Sequence, residues 1–201
     1  MSGPLEGIVV LDMSRVLAGP WAGQLLADLG ARVIKIEHPE RGDDTRGWGP
    51  PWLAAEDDTE RVAAYYLCAN RGKQSLALDI ASERGQALVR QLAAGADIVL
   101  ENFKVGGLAK YGLDYASLKT LNPALIGCSI TGFGQDGPYA HRAGYDFMIQ
   151  AMGGLMSIGG EPQGMPMKTG VAITDVMTGL YATIGVLAAL HERQSTGEGR
   201  H

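Results

Sequence analysis

Asp175 is the residue whose place in the sequence best suits covalent chemistry. It follows a short apolar lead, residues 171–173, and stands near the start of the most apolar helical segment of the chain. A helix N-terminus favours an ionised carboxylate, and such a carboxylate can attack a thioester carbonyl when it is partly desolvated. A Gly-rich stretch, residues 153–170, would let a ligand approach the backbone closely. Asp is also an ordinary helix N-cap, and these residues alone favour that structural interpretation.

Two further segments could bind phosphate groups. The basic turn at residues 70–73 precedes a predicted strand, and it suits phosphate or plain solvent equally well. The segment at residues 19–23, at the start of the first predicted helix, is more typical of a tight strand-to-helix turn than of a phosphate loop. No glycine fingerprint of dinucleotide-binding enzymes is recognised anywhere in the sequence, which disfavours a nicotinamide-dependent oxidoreductase.

The elements that must position these residues alternate between strand and helix. Strands over residues 8–11 and 32–37 flank a helix over residues 21–29, which predicts parallel strands joined by a right-handed crossover. The alternation continues with strands over 75–78, 97–100 and 124–130 and helices over 83–94, 115–121, 145–152 and about 175–193. The sequence therefore predicts an α/β fold, a mostly parallel sheet with helices on both faces. Residues 38–61 lack periodicity and are predicted to form a long functional loop.

Composition narrows the class of protein. The chain has 201 residues, enough for one domain, and a net charge of -5 that disfavours a nucleic-acid partner. Its 29 glycines are about twice the usual share and indicate many tight turns. Cys68 and Cys128 show no pairing or metal spacing and are predicted to be buried thiols of a cytoplasmic protein. No signal peptide is visible, and the apolar stretch at residues 176–190 is predicted to be a buried helix, not a membrane span.

Short motifs along the whole chain resemble family III CoA transferases, which include formyl-CoA transferase and α-methylacyl-CoA racemase. The resemblance is specific because the motifs occur together and in order. They are Leu5-Glu6-Gly7, Val10-Leu11-Asp12, Ala18-Gly19-Pro20, Leu29-Gly30-Ala31, Val33-Ile34-Lys35-Ile36-Glu37, Gly42-Asp43-Asp44-Thr45-Arg46, Asn70-Arg71-Gly72-Lys73, Glu101-Asn102-Phe103, Ile130-Thr131-Gly132-Phe133-Gly134, Gly144-Tyr145-Asp146 and Thr196-Gly197-Glu198-Gly199.

The resemblance implies a particular architecture. The family combines a Rossmann-like large domain, a smaller domain and long linkers, and two chains interlock as rings in a homodimer. Residues 1–201 would supply most of the large domain, without the small domain and without the family's Gly-rich loop over the reacting centre. We therefore expect this stretch to have little activity alone.

The resemblance also assigns site residues. Asp175 matches the catalytic aspartate, Arg46 and Trp48 match the substrate pocket, and no residue is expected to bind a metal. The expected CoA contacts are Leu17, Ala18, His38, Leu78, Asn102, Phe103, Lys104, Lys110, Arg142 and Tyr145. Two of these depart from the family pattern. His38 stands where an arginine is common, and the position of a family lysine is occupied by Ala143, with Arg142 as the neighbouring basic residue. Arg46 could equally bridge to a nearby acid and hold its loop, and Asp146 is expected to hold the turn at Tyr145.

The implied activity is transfer of CoA from an acyl-CoA to a carboxylic acid through an aspartyl-CoA thioester. Dicarboxylic acids such as succinate or glutarate are the expected acceptors, and CoA itself, as a substrate, is the only cofactor. One alternative is an acyl-CoA racemase of the same family, which would need a histidine where the chain has Tyr145. Another is a CoA-binding module without catalysis.

Overall fold

A five-stranded parallel sheet forms the centre of the molecule in a computed structural model that describes residues 3–54 and 61–201. Its strands are β1 (Val9–Asp12), β2 (Arg32–Glu37), β5 (Gln74–Ala77), β6 (Ile98–Glu101) and β7 (Ile126–Ser129), in the order β5-β2-β1-β6-β7. Every neighbouring pair is parallel. Two short strands, β3 (Trp52–Ala54) and β4 (Arg61–Ala63), form a separate antiparallel pair.

Helices cover both faces of the sheet, which confirms the predicted α/β class. They are α1 (Ala18–Asp28), α2 (Ala64–Asn70), α3 (Glu83–Ala94), α4 (Tyr115–Lys119), α5 (Asp146–Met152) and α6 (Ile173–Thr196). Successive residues of a strand face opposite sides, so Leu11 joins a core with Val89 of α3, while Val10 joins a second core with Leu26 of α1 and Val186 of α6. The two cores fix the sheet between two helical layers.

The predicted elements are present, and β2 and α3 have the predicted bounds. The structure differs in the stretch predicted to be an aperiodic loop, residues 38–61. This stretch contains a 3-10 helix at Asp44–Gly47 and strand β3, and strand β4 begins at its last residue; residues 55–60 lie outside the described part. Helix α2 was also not predicted. It has only seven residues, and distant contacts such as the hydrogen bond from Gln24 Nε2 to the Cys68 carbonyl (2.8 Å) hold it.

Helix α6 packs on α1 through one stripe of side chains and is otherwise open. Gly179, Thr183, Val186 and Leu190 are buried, while Tyr181 and Ile184 are 67% and 60% exposed. The expectation of a buried helix therefore holds for one face only. Among the described residues, α6 alone combines the length and mean hydropathy (1.6) that a membrane span needs. Cys68 also departs from its prediction, since it is exposed.

Candidate active site

The loops that follow the parallel strands all lie at the carboxyl edge of the sheet, where ligands bind in open α/β folds. The residues expected to contact CoA lie in these loops or at the start of the elements that follow them. Leu17 and Ala18 follow β1, His38 follows β2, Leu78 follows β5, Asn102, Phe103, Lys104 and Lys110 follow β6, and Arg142 and Tyr145 follow β7. The topology thus gathers them at one edge, although they are far apart in sequence.

Asp175 lies in the first turn of α6, but it does not cap the helix as the residues alone favoured. The helix begins at Ile173, and the cap comes from Asp146 at the start of α5. Asp146 Oδ1 accepts hydrogen bonds from the backbone N–H groups of Thr174 (2.8 Å) and Asp175 (3.2 Å), and its Oδ2 accepts one from Gln150 Nε2 (2.6 Å). The expected role of Asp146 in holding the Tyr145 turn is therefore replaced by a role in holding the start of α6. The Asp175 carboxylate is not used for capping.

Burial, and to a smaller extent the negative charge of Asp146, together raise the pKa of Asp175 to about 6. These two effects outweigh the helix N-terminus, which was expected to favour the ionised form. Asp146 behaves in the opposite way. Burial tends to raise its pKa, but hydrogen bonds from Thr174, Gln150 and the Asp175 backbone lower it overall. The site thus holds an ionised Asp146 beside a more basic Asp175, which is still mainly ionised at neutral pH.

Tyr65 lies near Asp175, and Tyr65 in turn contacts a second aromatic residue, Trp48. Tyr65 of α2 has its pKa raised by burial and next by the charge of Asp175. The Trp48 ring meets the Tyr65 ring edge-on, with centroids 5.3 Å apart. Trp48 was predicted to wall the substrate pocket, whereas Tyr65 was missed because α2 was not predicted. The one signal in the sequence was an aromatic pair, Tyr65-Tyr66, directly after the long polar stretch.

Arg46 uses its guanidinium within the protein. Its Nε and Nη2 donate to the two carboxylate oxygens of Glu37 at 2.7 and 2.8 Å, and Nη2 also donates to the Tyr66 hydroxyl at 2.7 Å. The guanidinium carbon lies 3.9 Å from the centre of the Tyr66 ring. These contacts favour the interpretation in which Arg46 holds its loop, and binding of a substrate carboxylate stays a prediction.

The residues expected to contact CoA have different environments. Leu17 and Ala18 are buried, and Phe103 and Leu78 pack against the first core. Two polar members lie at the surface: His38 Nδ1 accepts from the Glu40 N–H (3.2 Å), and the ammonium of Lys110 lies 4.6 Å from the Tyr111 ring centre.

The remaining members of this set line or flank the open edge of the sheet. Lys104 lines a cleft of about 220 Å³ with Tyr115 and Ser129, at the carboxyl ends of β6 and β7. Arg142 lies over the Tyr139 ring, 4.9 Å from its centre, and Tyr145 is 74% exposed. A larger groove of about 520 Å³ runs between β7 and α6. Neither of these two cavities includes Asp175.

The glycines near the start of α1 make room for side chains beneath the helix. A Cβ on Gly19 would meet Ser14, and one on Gly23 would lie 2.7 Å from Asp12 Oδ2 and 3.1 Å from Lys73 Nζ. This supports the tight-turn interpretation. The side chain of Lys73 is buried and donates to Asp12 Oδ2 (2.8 Å), while the exposed Arg71 pairs with Asp28. The basic turn therefore places the Lys73 ammonium in the interior and leaves the Arg71 guanidinium in a surface ion pair with Asp28.

One glycine pattern was overlooked in the sequence. Gly132, Gly134 and Gly137 have the spacing of the dinucleotide fingerprint, and they follow strand β7. The fingerprint also requires a helix that begins within it, so that the helix N-terminus can hold the pyrophosphate. The next helix here is α5, which begins at Asp146. The glycine spacing is thus present, but no helix begins within it to bind a pyrophosphate. Within residues 3–54 and 61–201, no group of three or more His, Cys, Asp or Glu side chains could hold a metal ion.

Comparison with known proteins gives consistent matches over the whole chain. The model of CoA-transferase family III matches residues 5–201. Succinate–glutarate CoA-transferase of Agrobacterium fabrum is 60% identical over 198 residues, which are 98% of this chain and 50% of that protein. Succinyl-CoA:glutarate CoA-transferase of Mus musculus is 49% identical over 98% of this chain and 44% of its own length.

A solved structure agrees with these matches. The crystal structure of a CAIB/BAIF family protein from Brucella suis is 59% identical, with a TM-score of 0.96 over 100% of this chain and 52% of that one. The chain thus spans about half the length of the relatives it matches.

Proposed function

Because this chain belongs to CoA-transferase family III, we propose that the full-length protein transfers CoA from an acyl-CoA to a carboxylic acid, with Asp175 as the covalent nucleophile. The observation that carries the proposal is the state of this carboxylate. Its pKa is raised to about 6 by burial and by Asp146, so it is more basic than an ordinary aspartate and yet largely ionised at neutral pH. Strongly shifted acids in accessible sites are typical of catalytic groups.

The proposed reaction divides one exchange into four steps. An Asp175 carboxylate oxygen attacks the acyl-CoA carbonyl, the carbon–sulfur bond breaks, and CoA leaves as a thiolate. The acyl group and Asp175 are then joined as a mixed anhydride. The thiolate then attacks the aspartyl carbonyl of the anhydride, which releases the donor carboxylate and leaves CoA on Asp175 as a thioester. An acceptor carboxylate attacks this thioester, forms a second anhydride and frees the thiolate. The thiolate finally attacks the acceptor's carbonyl, which yields the new acyl-CoA and regenerates Asp175.

These steps assign roles to the surroundings of Asp175. Asp146 holds the first turn of α6 through Thr174 and so fixes the position of the nucleophile. Trp48 and Tyr65 form an aromatic wall beside it. We assign CoA binding to the loops at the carboxyl edge of the sheet, with Lys104 and Lys110 as solvent-screened contacts to phosphate. Backbone N–H groups near the Gly-rich segments would stabilise the oxyanions. The exchange is redox-neutral, and CoA enters it as a substrate.

The proposed acceptor is a dicarboxylic acid. Two relatives bear names that contain succinate or succinyl-CoA together with glutarate, at 60% and 49% identity. We propose that the protein acts in the cytoplasm as a homodimer, as the family resemblance implies.

Covalent trapping tests the proposal. The full-length protein is incubated with a panel of acyl-CoAs and then with hydroxylamine, which converts an activated carboxylate into a hydroxamate. Peptide mass analysis should find this modification at Asp175, and only in samples that contained acyl-CoA. Modification at a different residue would reject the assigned nucleophile. Exchange of the α-proton without CoA transfer would favour the racemase alternative instead.

A further inference from the structure

The loop between β1 and α1 holds a residue in an unfavourable conformation. Val16 has a φ of 70° and is the one non-glycine residue with positive φ in the described part of the chain. A β-branched side chain strongly disfavours this region, so the surrounding contacts must enforce it. Such strain persists only where a structure is over-determined, and this raises the question of what holds Val16 there.

Side chains from separate elements bind the backbone of residues 14–16. Asn102 makes a two-point contact with Arg15, since its Oδ1 accepts from the Arg15 N–H (2.9 Å) and its Nδ2 donates to the Arg15 carbonyl (2.8 Å). Asp43 accepts from the Val16 N–H at 3.3 and 3.2 Å. Lys35 donates to the Ser14 carbonyl (2.9 Å). The loop is therefore clamped on both sides of Arg15.

The clamp is anchored in the protein interior. Lys35 Nζ and Asp43 Oδ2 are 2.8 Å apart, and their side chains are 1% and 0% exposed. Asp43 Oδ1 also accepts from the Thr45 N–H (2.9 Å), which ties the clamp to the loop after β2. On the other side, Asp12 Oδ1 accepts from the Ser14 N–H (2.9 Å). Buried charges with several partners have little freedom to move, so they hold the loop in one geometry.

The clamped loop leads directly into a residue that packs against α6, the helix that contains Asp175. Ala18, two residues after Val16, packs against α6 so closely that a Cβ on Gly179 would lie 2.8 Å from the Ala18 carbonyl oxygen. Asp175 precedes Gly179 by four residues in α6, and residues at this spacing share one face of a helix. The path of the loop into α1 therefore sets the wall that faces Asp175.

We propose that Asn102 and Asp43 are positioning residues that hold Val16 in its strained conformation and thereby fix the Leu17–Ala18 wall beside Asp175. The proposal rests on the proposed function for its effect on turnover. It gives Asn102 a different main role from the direct CoA contact that the family resemblance implies. An aspartate could not replace Asn102, because it has no N–H to donate to the Arg15 carbonyl at neutral pH.

The test uses the full-length protein and two substitutions. Asn102→Ala removes part of the clamp, and Val16→Gly removes the backbone strain at residue 16. Asn102→Ala should lower kcat by on the order of 10- to 100-fold, because a small displacement near a reacting group has effects of that size. The KM for acyl-CoA should change much less. Val16→Gly should restore much of the lost kcat in the Asn102→Ala background, since glycine adopts positive φ without strain. If Asn102 acts through contact with CoA, KM should rise and Val16→Gly should restore nothing, which would overturn the proposal.

A matched control separates positioning from general stability. Asn122 also makes two backbone contacts, to the Ala96 carbonyl (2.8 Å) and the Ala124 N–H (3.1 Å), but it precedes β7, at the opposite edge of the sheet. Asn122→Ala should lower stability and leave kcat unchanged. An equal loss of kcat in Asn122→Ala would overturn the proposal by showing that stability, not positioning, controls turnover.

A second measurement does not depend on activity. Amide hydrogen exchange should be slow at Arg15 and Val16 in the unaltered protein and faster in Asn102→Ala, while Asn122→Ala should leave both slow. If the protein showed no CoA transfer but this exchange pattern appeared, the proposed function would fail and the clamp would stand. Unchanged exchange at Arg15 and Val16 in Asn102→Ala would overturn the clamp itself.

Discussion

Buried acids occur in two regions of this molecule, with opposite properties. Beneath the β1–α1 loop, Asp12 pairs with Lys73, and Glu37 pairs with Arg46. Burial tends to raise the pKa of Glu37, but hydrogen bonds from Arg46, Ser75 and other donors bring it down to about 2. At the start of α6, burial raises the pKa of Asp175 to about 6, and its charged neighbour is the acid Asp146. Burial is common to both regions, so the sign of the neighbouring charge separates the structural acids from the proposed nucleophile.

Removing the Asp175 carboxylate should have the largest effect on activity. Asp175→Asn preserves size but cannot form the anhydride, so kcat should fall by on the order of 10⁴-fold. The variant should keep its fold and its affinity for CoA, as circular dichroism and calorimetry would show. Asp146→Asn is the matched control. Its amide oxygen can still accept from the Thr174 N–H, and its loss of kcat should be far smaller. Comparable losses in both variants would remove the distinction between the two acids.

Breaking the buried ion pair should mainly affect stability. Lys73→Met leaves the buried Asp12 without its cation partner, which should cost about 3–5 kcal/mol of unfolding free energy in urea titrations. The double variant Asp12→Asn/Lys73→Met should be more stable than Lys73→Met, because the unpaired charge is gone while an oxygen still accepts from Ser14. The exposed pair offers a control, and Arg71→Ala should have a much smaller effect. If Lys73→Met were as stable as Arg71→Ala, the pair would have no structural role.

The two regions should also give stability opposite pH dependences. The folded pKa of Glu37 lies below its usual value of 4.5, so its contribution is present above pH 4.5 and is lost as the pH falls towards 2. A shift of this size corresponds to about 3–4 kcal/mol. The raised pKa of Asp175 acts in reverse, and stability should decrease as the pH rises from 3.8 to about 6. The free energy of unfolding is measured against pH for two variants. Glu37→Gln should lose the decrease in stability below pH 4.5, and Asp175→Asn should lose the decrease between pH 3.8 and about 6. A wild-type slope below pH 4.5 in Glu37→Gln would contradict this assignment.

The smallest expected effect concerns the charge of Asp146. The acid limb of kcat/KM should have its midpoint near pH 6, where Asp175 ionises in the free enzyme. Asp146→Asn removes the second cause of the raised pKa but leaves burial, the larger cause, so the limb should move to lower pH by less than about one unit. Initial rates across the acid range measure this shift. A shift to higher pH would show that Asp146 acts on Asp175 through something other than its charge.

Several features were predictable from the sequence because they depend on local patterns. The alternation of apolar runs located the strands and predicted the parallel sheet, and the bounds of β2 and α3 were correct. Asp175 was identified from its place before an apolar helix and from the family resemblance. The features that were missed depend on distant contacts. Helix α2 is too short for a periodic signal, so Tyr65 was absent from the predicted site.

Charge pairing was the other property that local patterns could not supply. Lys73 belongs to a turn that suited phosphate or solvent equally, yet its partner Asp12 is 61 residues away. Arg46 could have bound a substrate or held its loop, and its contacts with Glu37 and Tyr66 favour the second. Asp146 was expected to hold a nearby turn, but it caps a helix that begins 27 residues later.

The sequence by itself thus determined the α/β class, the family and the identity of the candidate nucleophile, because these follow from the order of residues along the chain. Only the tertiary structure decided that Asp12 and Glu37 are paired with cations and that the pKa of Asp175 is raised. It also showed that Asn102 binds the Arg15 backbone and that Val16 is held at positive φ. The physical reason is that a carboxylate's pKa and a backbone's strain depend on groups a few ångströms away in space, and in this fold those groups come from separate helices and from the loops after separate strands.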